Sequence, residues 1–187
     1  MGFYNQDEEP VQTTSSVADG DTVVTADVSS AGTIKSLTMQ GVREFANRGI
    51  TNCTAATLTV TAALHAGHTI TLNRAGGIAV TLPAATGTGN KYRFVVGTTF
   101  TSSATIKAAS ATDTFCGNAF FISDGAAAVL GYIAGATADT VTFDGTTTGG
   151  YVGTVVEVTD IASTLFQVEV RGSATGTEAT PFSATVS

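Results

Sequence analysis

From residue 55 onward, apolar and polar side chains alternate with a period of two, segment after segment, with turn residues between the segments. Leu58, Val60, Ala62 and Leu64 fall on one side of such a segment, and Thr57, Thr59 and Thr61 on the other. The stretches 68–72 and 78–82 repeat the pattern, separated by an Arg74-Ala-Gly-Gly77 turn and closed by Pro83, which has no N–H to give a central ladder. Further strands are predicted over 91–96, 104–108, 114–123, 128–134, 140–143, 151–158 and 165–170. Asp124-Gly125 and Asp144-Gly145 mark hairpin turns. Short strands with turns every 8–12 residues or so predict an all-β fold, an antiparallel β-sandwich or jelly-roll-like domain over 55–187. Its predicted core comprises Leu58, Val60, Ile70, Leu72, Val80, Leu82, Phe94, Phe143 and Val168.

The pattern is weaker ahead of this domain, so residues 1–54 read as an extended acidic N-terminal arm and linker. Val-Val-Thr-Ala-Asp-Val predicts a strand over about 22–28. Ile34, Leu37, Val42 and Phe45 lie loosely on one helical face, with Arg43 and Arg48 near its C-terminal end and Gly49 placed to cap it. The segment at about 34–48 therefore reads as a short helix or an irregular linker, with Gly41 counting against the helix.

Composition reinforces the β reading and narrows the function. Charged residues make up 12% of the chain against about 25% in an average domain, so Thr, Ser, Ala and Gly must form much of the surface. Such a neutral surface suits packing against another protein. Only 8 bases are present and the net charge is −7, which argues against a nucleic-acid partner. The acids are unevenly placed, because Asp7, Glu8, Glu9, Asp19, Asp21 and Asp27 all precede the first base, Lys35. Phe3 and Tyr4 lie at the head of this arm as candidate anchors.

Cys53 and Cys116 predict two buried free thiols, since a chain of this size needs no disulfide staple. No apolar run approaches the ~18 residues of a membrane span. The N-terminus lacks a basic region followed by an apolar one, and Gln6 stands where a myristoylation motif needs Ser or Thr. Synthesis in a cytoplasm, without a cleaved export signal, is the expectation, and the Asn52-Cys53-Thr54 glycosylation sequon then has no role. His65 and His68 flank Gly67 with no acid or Cys nearby in sequence, and read as exposed turn histidines rather than a metal pair. No nucleophile elbow, phosphate loop or His-Glu-x-x-His motif occurs. Glu157, Asp160 and Glu169 are the carboxylates available for paired acid–base work, as in any acidic sheet protein. The reading is non-enzymatic: no catalytic residue, cofactor or metal is expected.

The run His68-Thr-Ile-Thr-Leu-Asn-Arg-Ala-Gly-Gly-Ile-Ala-Val-Thr-Leu-Pro-Ala-Ala, followed by Gly89-Asn-Lys-Tyr-Arg-Phe-Val-Val-Gly, resembles a β-rich module of tailed-phage virion proteins of the head decoration (cement) type. The resemblance covers about residues 57–187, including the closing Gly172-Ser-Ala-Thr-Gly-Thr-Glu-Ala-Thr-Pro-Phe-Ser, and carries no catalytic motif. It implies a homotrimer on the capsid surface of the virion, bound to the major capsid protein and stabilising the head. Phe3, Tyr4, Asp7, Glu8, Glu9, Asp19 and Asp21 are then the candidate capsid-interface residues. The alternative is a tail or fibre-tip module that binds a host glycan, which the absence of Trp disfavours.

Overall fold

The computed structural model describes residues 22–26, 34–38, 49–125 and 128–186. The chain divides into two compact units, Met1–Arg48 and Gly49–Ser187. Within the first, β1 (Thr22–Ala26) pairs antiparallel with β2 (Ile34–Thr38), from Thr22 opposite Thr38 to Ala26 opposite Ile34. Of the strand expected at about 22–28, Thr22–Ala26 is extended, and residues 27 and 28 lie outside the described residues. The helix reading of 34–48 is corrected over its first turn: β-branched residues dominate β1 and begin and end β2, and they favour the extended backbone. Residues 39–48 lie outside the described residues.

The second unit is the expected all-β sandwich, two sheets packed against each other. Its first strands are β3 (Ile50–Cys53), β4 (Thr57–Thr59), β5 (Thr69–Leu72), β6 (Ala79–Thr81), β7 (Lys91–Val96) and β8 (Ala104–Lys107). These alternate between the sheets. β3, β5 and β7 stack in parallel in one, and β4, β6 and β8 in the other, so the chain winds through three coils of a short solenoid. Cys53, Leu72 and Val96 stack on one inner wall, and Leu58, Val80 and Ile106 on the other. Parallel neighbours need a crossover, and each coil supplies it by passing through the opposite sheet.

The remaining strands are β9 (Thr114–Ser123), β10 (Val129–Ile133), β11 (Thr140–Phe143), β12 (Val155–Ala162), β13 (Leu165–Ala174) and β14 (Phe182–Ser183). The larger sheet runs β10-β9-β13-β12-β7-β5-β3 and the smaller β14-β11-β8-β6-β4. β12 pairs antiparallel with both β7 and β13, whereas β9 lies parallel to β13. The sheets are therefore mixed, a correction to the antiparallel expectation. Asp124-Gly125 does turn a hairpin, β9 to β10. Asp144-Gly145 does not, because β11 pairs with β8 and β14 instead of β12. β3 belongs to the larger sheet, so the β-unit starts before residue 55.

Val60, Ile70, Leu72, Val80, Leu82, Phe94, Phe143 and Val168 are buried, as the alternation predicts, and Leu58 is half-buried. The aromatic centre also holds Tyr92, Phe100, Phe115, Phe121 and Phe166, with Phe115 edge-on to Phe166 at 6.1 Å between ring centroids. The strand expected to run to Leu64 stops at Thr59, and a single helical turn, α1 (Ala62–His65), follows. The backbone N–H of Thr61 donates to His65 Nδ1 at 3.0 Å, closing that turn. His65 is consequently buried and Leu64 exposed, the reverse of their expected placements.

Candidate interaction surface

The sequence-predicted interface residues Phe3, Tyr4, Asp7, Glu8, Glu9, Asp19 and Asp21 lie outside the described residues. Chemistry within the β-unit can be followed side chain by side chain, beginning with its carboxylates. Glu157 and Asp160 are three apart on β12, which places them on opposite faces of the sheet. Asp160 points inward and is buried; Glu157 lies on the outer face, half-exposed. They do not converge on one pocket.

The Asp160 carboxylate collects the loop between β6 and β7. It accepts from the backbone N–H groups of Thr86 (3.0 Å), Gly87 (2.7 Å) and Thr88 (3.0 Å), and from the Thr88 hydroxyl (2.7 Å). Burial pushes its carboxyl upward, but the hydrogen bonds from Thr88, Gly87 and Thr86 outweigh that, and the group is held below its ordinary value of 3.8. Asp144 is likewise held low: burial opposes, and donors from Thr147, Thr148 and Thr146 win. Asp139 accepts from the Thr140 hydroxyl (2.7 Å) and the Thr185 N–H (2.9 Å), fixing the C-terminal segment. These acids pin loops, so their charge is spent on structure.

A pH dependence follows. A carboxyl whose folded value lies below its unfolded one contributes stability that is present above the unfolded value and lost as pH falls through the folded one. Asp160→Asn is expected to lower stability by roughly 2–3 kcal/mol at neutral pH, the scale of hydrogen bonds to a charged acceptor. The gap between wild type and D160N should then narrow as pH drops below 3.8. Urea unfolding at a series of pH values checks this; curves that stay parallel down to about pH 2 would contradict it.

The outer face of the seven-stranded sheet carries a different arrangement. Across β7, β12 and β13, Arg93 pairs with Glu157, Glu157 with Arg171, and Arg171 with Glu169, each at 3.3 Å. Arg93, Glu157 and Glu169 share one cross-strand row. With side chains about half exposed, each pair contributes only ~0–1 kcal/mol, but together they give a charge-balanced band. Beside this band, towards the β10 edge, lies an apolar patch: Phe120 is 43%, Ile122 60%, Val129 67% and Ile133 79% exposed. Val129 stands opposite Ile122 on the neighbouring strand, and Phe120 opposite Gly131.

The alternation did not single out this patch, although its signal is in the sequence. Ala119-Phe-Phe-Ile122 is apolar at consecutive positions, which fills both faces of a strand, yet only Ala119 and Phe121 are buried. Cys53 is buried and Cys116 half-buried, and both are free thiols. Among the described residues no group of three or more His, Cys, Asp or Glu side chains is arranged to hold a metal ion. Comparison with protein families, curated proteins and solved structures found no match to this chain.

Proposed function

We propose that this chain is a capsid decoration protein of a tailed-phage head, a non-enzymatic module that binds the major capsid protein lattice and stabilises the shell. The observation that carries the reading is the outer face of the seven-stranded sheet, an exposed apolar patch flanked by a charge-balanced band. Apolar patches rimmed by polar residues mark protein–protein contact sites. The resemblance of residues 57–187 to head-decoration modules adds the kind of partner and an expected homotrimer. Anything that binds only the assembled lattice stabilises it by mass action, so many weak contacts suffice. The acidic arm extends the contact, with Phe3 and Tyr4 as anchors and Asp7, Glu8, Glu9, Asp19 and Asp21 complementing basic capsid patches.

Rebinding of purified protein to heads stripped of it tests the proposal. Full-length chain should bind saturably at many sites per head. A variant lacking residues 1–27 should bind more weakly, and its deficit should shrink as salt rises, because charge complementarity is screened. Equal binding by both at every salt concentration would assign attachment to the β-unit alone. Failure of both to bind would overturn decoration.

A further inference from the structure

We infer that β10 is a self-pairing edge, through which two copies of this chain join their seven-stranded sheets across a two-fold axis at Gly131. Three observations carry this, and none depends on the head-binding proposal.

The first is the free polar row. Ser123 N–H donates to Ala128 C=O at 2.9 Å, and Ala134 N–H to Gly117 C=O at 3.0 Å. In an antiparallel ladder the bonded positions alternate, so Ala128, Leu130, Tyr132 and Ala134 turn their backbone groups towards β9. Val129, Gly131 and Ile133 therefore direct their N–H and C=O groups away from the sheet, and none of these groups has a hydrogen-bond partner among the described residues.

The second is the absence of any guard on this edge among the described residues. Proteins blunt free edges with charges, proline, bulges or very short strands. The other edge strands of the two sandwich sheets are shorter: β3 has 4 residues, β4 has 3 and β14 has 2. β10 has 5, reads Val-Leu-Gly-Tyr-Ile, and carries neither charge nor proline.

The third is self-complementarity, which selects a second copy as the occupant. Centred on Gly131, an antiparallel β10 pair sets Val129 against Ile133 of the other copy, both β-branched and both on the outer face. It sets Leu130 against Tyr132 on the inner face, where both are half-buried. Aromatic and β-branched cross-strand pairs of this kind stabilise sheets. Gly131 meets its own equivalent on the axis, flanked by the Phe120 rings: a Cβ at Gly131 would lie 3.5 Å from Phe120 Cε1. An isologous contact needs this symmetry, and the strand has it. A five-residue edge contact is small beside the roughly 1,600 Å2 of a standard specific interface, so pairing should depend on protein concentration. It also merges the two apolar patches into one continuous surface.

Light scattering on the intact protein tests the inference. Ile133→Lys places a charge on the edge, and Gly131→Pro removes an outward N–H that β9 does not use, a position where an edge strand tolerates proline. Each variant should halve the wild-type mass. That mass is twice 18.8 kDa if this is the sole contact, and a higher even multiple if a three-fold contact coexists. Val152→Lys, at an exposed apolar site outside β10, should leave it unchanged. In hydrogen exchange, the amides of Val129, Gly131 and Ile133 should be protected in wild type and should lose that protection on dilution and in I133K. A wild-type mass of 18.8 kDa at high micromolar concentration, or folded I133K and G131P proteins that keep the wild-type mass, would overturn the pairing whatever the outcome of head binding.

Discussion

Replacing Gly117 by alanine is expected to cost the β-unit at least about 4 kcal/mol, a size of effect that single substitutions reach only by a specific steric or electrostatic mechanism. Gly117 sits within β9 at φ +137°, a backbone conformation that L-residues rarely adopt. A Cβ there would lie 1.8 Å from the Val168 carbonyl oxygen on β13, and backbone cannot rotate aside as a side chain can. β9 and β13 pair in parallel over their whole lengths, so the displacement would propagate along the longest ladder of the larger sheet. The Gly117 carbonyl also accepts the Ala134 N–H at the end of β10, and the β9–β10 hairpin should loosen with it. Chemical denaturation of G117A should show a large fall in midpoint or no cooperative transition. A loss below about 1 kcal/mol would show that the sheet can shift to admit the methyl.

Phe94→Ala should cost about 3–5 kcal/mol, the range for removing a fully buried ring. Phe94 is completely buried on β7, flanked in register by Ile70 on β5 and Val156 on β12. It stands where the parallel coils meet the antiparallel strands, so the cavity would open between the two halves of the sheet. Against a total stability of about 5–15 kcal/mol, that loss is a large share. Urea unfolding should report a lower midpoint with an unchanged slope, while Ile161→Ala, at an exposed position, should stay within ~0.5 kcal/mol of wild type.

The legible and illegible parts of this fold divide along one physical line. Alternation reports which face of a strand is buried, so Ile70, Leu72, Val80, Leu82 and Phe94 are readable as core from the sequence. It does not report which strand lies alongside, because parallel and antiparallel strands share the period of two. The solenoid coils leave no fixed repeat to find. Ile50 pairs with Thr69, 19 residues on, and Thr69 with Arg93, 24 on, because the connecting loops differ in length. α1 was hidden because Ala62 and Leu64 fit a strand as well as a helix, and the deciding bond, Thr61 to His65, shows no periodicity.

The surface was harder to read than the core. A strand with both faces apolar, such as Ala119–Ile122, fits either a doubly buried strand or an exposed patch, and only the tertiary arrangement, which leaves Phe120 and Ile122 on an exposed outer face, decides. The acids show the reverse case. Asp160 reads as one of several available carboxylates, and its capture by the backbone of residues 86–88 depends on a contact more than 70 residues away in sequence.

Counting copies of this chain on purified particles, by antibody labelling together with quantitative gel analysis, tests the decoration account most directly. Reuse of one contact over a symmetric shell gives an expected result on the order of hundreds of copies per particle, distributed over the head. A handful of copies confined to the tail, or none on the particle, would contradict it.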